Sequence, residues 1–247
     1  MLFLRRSLAL TLAATLALSA APGCGTPPDS GEPRWREEVG SSLQSLREAG
    51  SYRYRIRLET WIGVSGQSVY GDEEGGGSRA GGDFSVQIAR TSPAGGETFS
   101  LALQQGELYL QEGGAWRRIE RGEGPNPLYD PDRFLRLVSA YASVTWEGEE
   151  ERAGATSRLY LLRLGGDKAR DTMSEAAWSY FSPLTYELSC RVWVSDAAAP
   201  PSSLQLEVLG FDPEESLQRY KLLATLEPYD VGSPDIQVSS PPAAPEQ

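Results

Sequence analysis

Strict alternation of apolar and polar residues dominates the chain after residue 50. In the segment SYRYRIRLET, aromatic and aliphatic residues occupy the even positions, whereas three arginines and a glutamate occupy odd ones. The same two-residue period recurs at 84–88, 99–103, 157–164, 187–195 and 203–209. Such alternation predicts strands with one dry and one wet face, which is typical of antiparallel sheets. Glycines between the segments supply short turns, so the sequence predicts a meander of hairpins.

Three stretches carry a helical period instead. The first covers about residues 34–49, and its apolar face comprises Trp35, Val39, Leu43 and Leu46. The second opens at Asp130-Pro131, a capping residue before a proline. Its apolar face comprises Phe134, Leu137, Val138 and Tyr141. The third covers about residues 168–181. The predicted fold class is α+β: a strongly curved antiparallel sheet, forming an unclosed barrel, with two or three short helices covering its concave face.

Several connections are also predicted from composition. The glycine-rich acidic stretch GDEEGGGSRAGGD at 71–83 is interpreted as a long mobile loop or hairpin tip. The glutamates at 147 and 149–151 are interpreted as a solvated acidic turn between a helix and a strand. A short last strand is expected at 236–238, and the tail at 240–247 is expected to be disordered.

The N-terminus has the order of a secretory signal. Arg5 and Arg6 precede an apolar run at 7–20, which is too short and wrongly flanked for a stable membrane span. Small residues then lead to Cys24, and this segment resembles a bacterial lipoprotein signal. That resemblance implies removal of residues 1–23 and attachment of lipid to Cys24. Residues 24–33 would form a flexible linker, and residues 34–239 the folded domain. The expected location is therefore the cell envelope, outside the cytoplasm and anchored to a membrane.

Composition excludes several function classes. The formal net charge is −11 and no basic stripe is present, so a nucleic-acid partner is not expected. The chain contains no histidine, which removes the commonest general base and zinc ligand. Cys190 lies in an alternating run and is interpreted as a small buried apolar residue. No catalytic group, metal or other cofactor is expected, and we predict a monomer that is not an enzyme.

Four local patterns in a fixed order suggest a family. They are a helix leading directly into SYRYRIRLET, the hairpin GELYLQEGGAWRRIE, the segment DPDRFLRLVSAY followed by EGEEERAGATSRLYLLRL, and the paired strands RVWVSDAAAPPSSLQLEV. Together they resemble bacterial lipoproteins of the LolA-like superfamily, namely the outer-membrane lipoprotein carrier group and the LppX/LprG type. The resemblance implies a half-barrel that encloses an apolar cavity for acyl chains.

The residues expected to line that cavity are those on the apolar side of each strand and on the apolar face of the second helix. The predicted lipid-binding residues are Ile56, Leu58, Val86, Leu101, Leu103, Phe134, Leu137, Val138, Tyr141, Val192 and Leu206. A packed core needs the same inward residues, so periodicity alone does not distinguish a core from a cavity.

Two functions from different classes follow. The first is a membrane-anchored lipoprotein that binds or transfers lipid acyl chains. The alternative is an envelope lipoprotein that senses or contacts another protein without carrying lipid. Arg53, Arg55 and Arg57 are interpreted as the solvated outer face, with contact to lipid headgroups or a protein as the other interpretation. Trp61 and Trp193, which fall on the polar parity of their strands, are candidates for an exposed interaction patch.

Overall fold

The computed structural model describes residues 31–239 and Pro241, apart from 65–66, 93–94, 121–123, 153, 166, 168–184 and 212–218. Within these residues, eleven strands form one antiparallel sheet in the order β6-β5-β4-β3-β2-β1-β11-β10-β9-β8-β7. The strands are β1 (Ser51–Val64), β2 (Gln67–Ala80), β3 (Asp83–Ser92), β4 (Gly95–Gln104), β5 (Glu107–Glu112), β6 (Ala115–Ile119), β7 (Tyr141–Arg152), β8 (Ala155–Leu164), β9 (Thr185–Val194), β10 (Ser203–Phe211) and β11 (Arg219–Tyr229).

The sheet consists of two meanders joined by a single long pairing. One meander runs from β1 to β6 and the other from β7 to β11, and β1 pairs with β11 over eleven positions from Arg53↔Tyr229 to Gly63↔Arg219. The two edge strands are β6 and β7, so the barrel is not closed. The predicted class, an unclosed antiparallel barrel with helices, is confirmed.

Helix α1 (Glu32–Glu48) lies directly before β1 and confirms the first predicted helix within two residues at each end. It buries the predicted residues Val39, Leu43 and Leu46, while Trp35 is partly buried against the same core. Glu38 and Ser42 are buried on this face as well. Ser42 donates a hydrogen bond to the carbonyl of Ala199, and Glu38 forms an ion pair with Arg158. Two polar contacts therefore supplement the apolar face of α1.

Helix α2 (Pro131–Val138) is preceded by a 3₁₀ turn at Pro127–Tyr129 and is capped by Asp130, whose carboxylate accepts from the backbone N–H groups of Asp132 and Arg133. The prediction that Tyr141 belongs to the face of this helix is wrong. The backbone N–H of Ser139 donates to the carbonyl of Leu135 at 2.9 Å, the helix ends there, and Tyr141 begins β7. A strand at this position gains backbone hydrogen bonds to β8, which a longer helix would forfeit.

The glycine-rich stretch at 71–83 is a strand and not a loop. Residues Gln67–Ala80 form β2 between β1 and β3. Gly75 lies under Ile88 and the carbonyl of Gln87, and Gly77 lies under Tyr54, so a Cβ at either position would overlap these atoms. Glycine is therefore required at positions 75 and 77 by the close approach of neighbouring atoms, although glycines in a sequence usually indicate a turn.

The acidic residues at 147 and 149–151 also lie on a strand. They belong to the edge strand β7, where Glu149, Glu150 and Glu151 pair with β8. The register shifts between Trp146 and Gly148, and Gly148 has a φ of 141°. Charged side chains and irregular pairing at an edge disfavour pairing with a second sheet.

The C-terminal segment crosses the outer face of the sheet without forming the strand predicted at 236–238. The Ser51 hydroxyl donates to the carbonyl of Ser233 at 2.6 Å, and the backbone N–H of Ser239 donates to the Ser85 hydroxyl at 3.1 Å. Ile236 is buried between these two anchoring points. The third predicted helix, at about 168–181, lies outside the described residues.

We predict that Gly75→Ala lowers the free energy of unfolding by about 1–3 kcal/mol, because the new methyl group must displace Ile88 or the β3 backbone. Gly76→Ala is the matched control. Its Cβ meets only the carbonyl oxygen of Tyr54, at 3.9 Å, so a change within about 0.5 kcal/mol is expected. Both variants reduce unfolded-state entropy alike. Equal stabilities in urea unfolding would contradict the proposed close approach.

Candidate functional site

The concave face of the sheet carries a continuous row of apolar residues. Backbone pairing aligns Ile56 with Leu226, then with Leu204, Val192 and Tyr160 on successive strands. In the other direction Ile56 aligns with Gly75, and Gly75 with Ile88. The row therefore crosses both meanders without a charged side chain between Ile88 and Tyr160.

The sequence-predicted lining residues gather in this interior. Nine of them are buried in one apolar cluster: Ile56, Leu58, Val86, Leu101, Phe134, Leu137, Val138, Val192 and Leu206. The remaining two, Leu103 and Tyr141, are partly buried and pack against that cluster. Tyr141 contacts α1 instead of lining the sheet: its hydroxyl donates to the carbonyl of Arg36 at 3.2 Å.

The interior is closely packed around these residues. Val192 and Leu206 have no exposed surface, and Ile56 and Leu58 are 1% exposed. A side chain that bordered a cavity of water size or larger would retain accessible surface there. These four side chains are therefore in contact with protein atoms on all sides, and lipid can reach them only if packed elements separate.

A charged cluster interrupts the concave face at β2, β3 and β4, and the sequence did not predict it. Arg90 donates from Nε to Glu73 at 2.5 Å and from Nη1 to Glu97 at 2.6 Å. Tyr129, from the 3₁₀ turn before α2, donates its hydroxyl to the other oxygen of Glu73. Burial raises the pKa of the Glu73 carboxyl, while the neighbouring Arg90 opposes this shift. Glu73 and Arg90 fall at inward-facing positions of β2 and β3, and the interpretation of residues 71–83 as a loop conceals this signal.

Polar contacts also fix α2 and its 3₁₀ turn to the sheet. The Tyr54 hydroxyl donates to the carbonyl of Tyr129 at 3.3 Å. Arg79 of β2 pairs with Asp132 of α2 at 3.0 Å and donates to the carbonyl of Ala49 at 2.7 Å, so it links α2 to the end of α1. We call the 3₁₀ turn at Pro127–Tyr129 and α2 the lid, and hydrogen bonds and an ion pair at its rim hold it to the sheet.

Two phenols lie towards the end of the concave face that is nearest the β1–β2 hairpin tip. Tyr220 of β11 and Tyr186 of β9 both align with Gly210 of β10. Burial raises the pKa of Tyr186 to about 12, and burial also raises the pKa of Tyr220. Both hydroxyls therefore stay protonated at neutral pH.

The convex face is polar, as predicted for Arg53, Arg55 and Arg57, which are all exposed. Arg57 forms two hydrogen bonds with Asp72, each of 3.1 Å. The expectation that Trp193 is exposed is wrong, because Trp193 is only 5% exposed. Its indole N–H donates to Glu150 at 2.8 Å, and Arg152 covers the ring at 4.2 Å from the centroid. Trp193 is thus covered by long side chains of the edge strand.

The described residues form neither an activated cysteine nor a metal site. Cys190 is fully buried, and burial raises the pKa of its thiol, so it is not an activated nucleophile. Among the described residues, no group of three or more histidine, cysteine or acidic side chains is arranged to hold a metal ion. The helices described here are too short or too polar to cross a bilayer.

Comparison with known proteins shows the fold. No protein-family model matches the chain, and a search of curated proteins gave no match. Among solved structures, LprF from Mycobacterium bovis is similar over 85% of this chain and 97% of LprF, with 12% identity and a TM-score of 0.50. The Mycobacterium tuberculosis lipoprotein LppX is similar over 84% of this chain and 99% of LppX, with 11% identity and a TM-score of 0.48.

A LolA superfamily protein from Nitrosomonas europaea covers 82% of this chain, with 9% identity and a TM-score of 0.33. Identities this low concern the fold alone. The chain shares its fold, an unclosed antiparallel half-barrel with helices, with LprF, and the resemblance predicted from the sequence is confirmed as a likeness of fold.

We predict that Glu73 makes stability depend on pH. Its pKa is raised in the folded state, so the folded protein binds more protons than the unfolded chain, and stability falls as pH rises from the unfolded pKa through the raised one. Glu73→Gln lacks this titration. Urea unfolding from pH 4 to pH 7 should therefore show the wild type losing stability relative to the variant. A growing wild-type advantage with rising pH would show that the pairing with Arg90 outweighs burial.

Proposed function

We propose that this protein is an extracytoplasmic lipoprotein, anchored to a membrane through acyl chains on Cys24, that binds or transfers lipid by holding acyl chains between its concave face and its helices. The observation that carries the proposal is the apolar row from Ile88 to Tyr160, which spans both meanders beneath a lid attached at its rim. The half-barrel fold shared with LprF supports it. The proposal includes no enzymatic step and no cofactor, and treats the chain as a monomer.

The energetics favour retention of acyl chains in the interior over their release into water. Relative to water, burial of each methylene contributes about 0.8 kcal/mol, so about ten methylenes contribute about 8 kcal/mol. The contacts at the rim of the lid, such as Tyr54 with Tyr129 and Arg79 with Asp132, are each worth about 1 kcal/mol. Acyl chains also replace the apolar contacts that Phe134 and Leu137 would lose. Bound lipid can therefore offset separation of the lid from the sheet.

A second function is favoured by one specific observation. Because Val192 and Leu206 are completely buried by protein atoms, the interior is also that of a stable core without cargo. In that case the protein acts as an envelope lipoprotein that senses or contacts another protein. The two functions differ in whether lipid accompanies the purified protein.

We predict that Val192→Trp displays opposite effects under the two functions. If lipid occupies the interior, the larger side chain takes its space: non-covalent lipid extracted from the protein falls, while the melting temperature stays close to that of the wild type. If the interior is only a core, overpacking costs about 1–3 kcal/mol and the wild type carries no lipid. Lipid mass spectrometry and thermal unfolding measure the two quantities.

Gln87→Trp is the matched control for this substitution, because Gln87 is exposed on the convex face of the same sheet. It should change neither quantity. Leu101→Trp tests the same interior from β4. Destabilisation by both interior variants, with no lipid in the wild type, would refute lipid carriage.

We predict that Cys24→Ala abolishes incorporation of labelled fatty acid and moves the protein from the detergent phase to the aqueous phase. Cys190→Ala is the control, because Cys190 is fully buried and offers no thiol to an acyl donor. It should retain the label. Label retained by Cys24→Ala would exclude this anchor and leave the lipid-binding interior to be judged by the tryptophan variants.

A further inference from the structure

Exposed apolar side chains gather where β1 and β2 extend beyond the rest of their meander. The pairing of β2 with β3 ends at Asp72, whereas its pairing with β1 continues to Gln67. We call the apolar residues at this end the tip patch, and it comprises the exposed Val69, Tyr70 and Phe211 together with the partly buried Trp61 and Ile62, of which Ile62 also packs against the core. Val69, Tyr70 and Phe211 are 58%, 42% and 38% exposed, and they are three of the six strongly exposed large apolar residues in the described part of the chain.

The tip patch covers both faces of the hairpin. Trp61 and Tyr70 are paired across β1 and β2, and their ring centroids are 5.3 Å apart. Ile62 and Val69 are the adjacent pair, so their side chains point to the opposite face. A strand that belonged only to a soluble half-barrel would be polar on its convex face. Apolar residues on both faces at one end mark a contact surface.

The N-terminal end of α1 lies at the same end of the sheet. Arg36, in the second turn of α1, donates to the carbonyl of Ala142 at 2.6 Å, and the Tyr141 hydroxyl donates to the carbonyl of Arg36. Backbone pairing aligns Tyr141 of β7 with Leu164 of β8 and, from strand to strand across the sheet, with Thr60 of β1. Thr60 is next to Trp61. The C-terminal end of α1 contacts Arg79, at the opposite end of the strands.

The length of the chain before α1 is compatible with one membrane plane for the anchor and the tip. Seven peptide steps separate Cys24 from Gly31, and an extended chain of that length reaches about 25 Å. The level of Thr60 is four residues from Val64, where β1 ends, which is about 13 Å along the strand. The length of the chain before α1 therefore allows acyl chains on Cys24 and the tip patch to share one bilayer.

Charge at this end indicates which kind of membrane contact is favourable. Lys221 lies 5.5 Å from the centroid of the Trp61 ring, and Arg219 precedes it on β11. Lys221 also forms an ion pair with Glu207 at 2.7 Å, and Arg57 forms one with Asp72 at 3.1 Å. Positive and negative residues thus offset each other. Contact must rest on apolar and aromatic insertion, the role that tryptophan and tyrosine have at membrane interfaces, and not on attraction to anionic lipid.

We propose that the tip patch inserts into the interfacial layer of the phospholipid bilayer to which the protein is anchored. This proposal rests on the anchoring part of the proposed function. Tyr220 aligns with Ile62 of the tip patch, so the end of the concave face that carries the two phenols is held against the bilayer. Acyl chains can then pass between membrane and interior without crossing water.

Tryptophan quenching tests the proposal in the anchored protein. The lipidated protein is reconstituted in phosphatidylcholine vesicles with and without brominated acyl chains. We expect quenching by brominated lipid that is lost in Trp61→Phe and retained in the control Trp116→Phe, since Trp116 lies on β6 outside the tip patch. An anchored protein without quenching, or with quenching that survives Trp61→Phe, overturns the proposal.

Vesicle flotation of the processed chain carrying Cys24→Ala tests the tip without the anchor. Val69→Glu should reduce binding to phosphatidylcholine vesicles about tenfold, because a carboxylate is excluded from the apolar part of the interface. Val231→Glu is the matched control: Val231 is 37% exposed and follows β11 at the opposite end of the sheet. It should bind as the parent does.

The outcomes separate this proposal from the proposed function. Equal binding of Val69→Glu and its parent, or binding that requires anionic phosphatidylglycerol, overturns insertion of the tip. Vesicle binding that depends on Val69 in a protein whose Cys24 proves to carry no lipid supports the tip and refutes the anchor. Acyl labelling of Cys24 with no Trp61 quenching leaves the anchor intact and refutes the tip.

Discussion

The pairing of β1 with β11 is the constraint on which the rest of the structure depends. It joins two meanders that are each local in sequence, and it brings residues 156 to 176 positions apart into register, such as Ile56 with Leu226. Without it the apolar face would be split into two sheets of six and five strands, each with one additional open edge, at β1 and at β11. The ladder therefore produces a single concave face and also fixes which interior residues of the two halves share a row.

Close packing at β2 makes this concave face possible at its most crowded point. Tyr54 of β1 and Ile88 of β3 lie over Gly77 and Gly75, so the strand between them contributes backbone in place of side chains. The space gained lets Tyr54 reach the carbonyl of Tyr129 and tie the 3₁₀ turn before α2 to the sheet. The same glycines thus govern both the interior volume and the attachment of the lid.

The molecule is amphipathic along its strands as well as across its sheet. Apolar rows lie beneath α1 and α2, whereas Glu73, Arg90 and the two phenols lie nearer the hairpin tip. A lipid that enters from the tip end would pass the apolar tip patch first, then these polar groups, and then the apolar interior. This polarity relates the proposed acyl-binding interior to the proposed bilayer contact, since both require the same end of the half-barrel to approach the membrane.

The sequence by itself determined the regular parts of the protein. Period-two alternation located the buried faces of β1, β3, β4, β9 and β10, and the 3.6-residue period with Asp130-Pro131 located the two described α-helices, because these signals depend only on neighbouring residues. Nine of the eleven proposed lining residues are consequently in the core.

The tertiary structure alone decided the rest. The sequence predicts a loop at Gly75 and Gly77, because it does not show that Tyr54 and Ile88 occupy the space beside them. It predicts a helical position for Tyr141, because it does not show that β8 is available for backbone pairing. Glu73 joins Arg90 and Tyr129 only after three distant segments are in register. Local periodicity carries no information about contacts made across such distances, and those contacts determine where glycine, tyrosine and buried charge are placed.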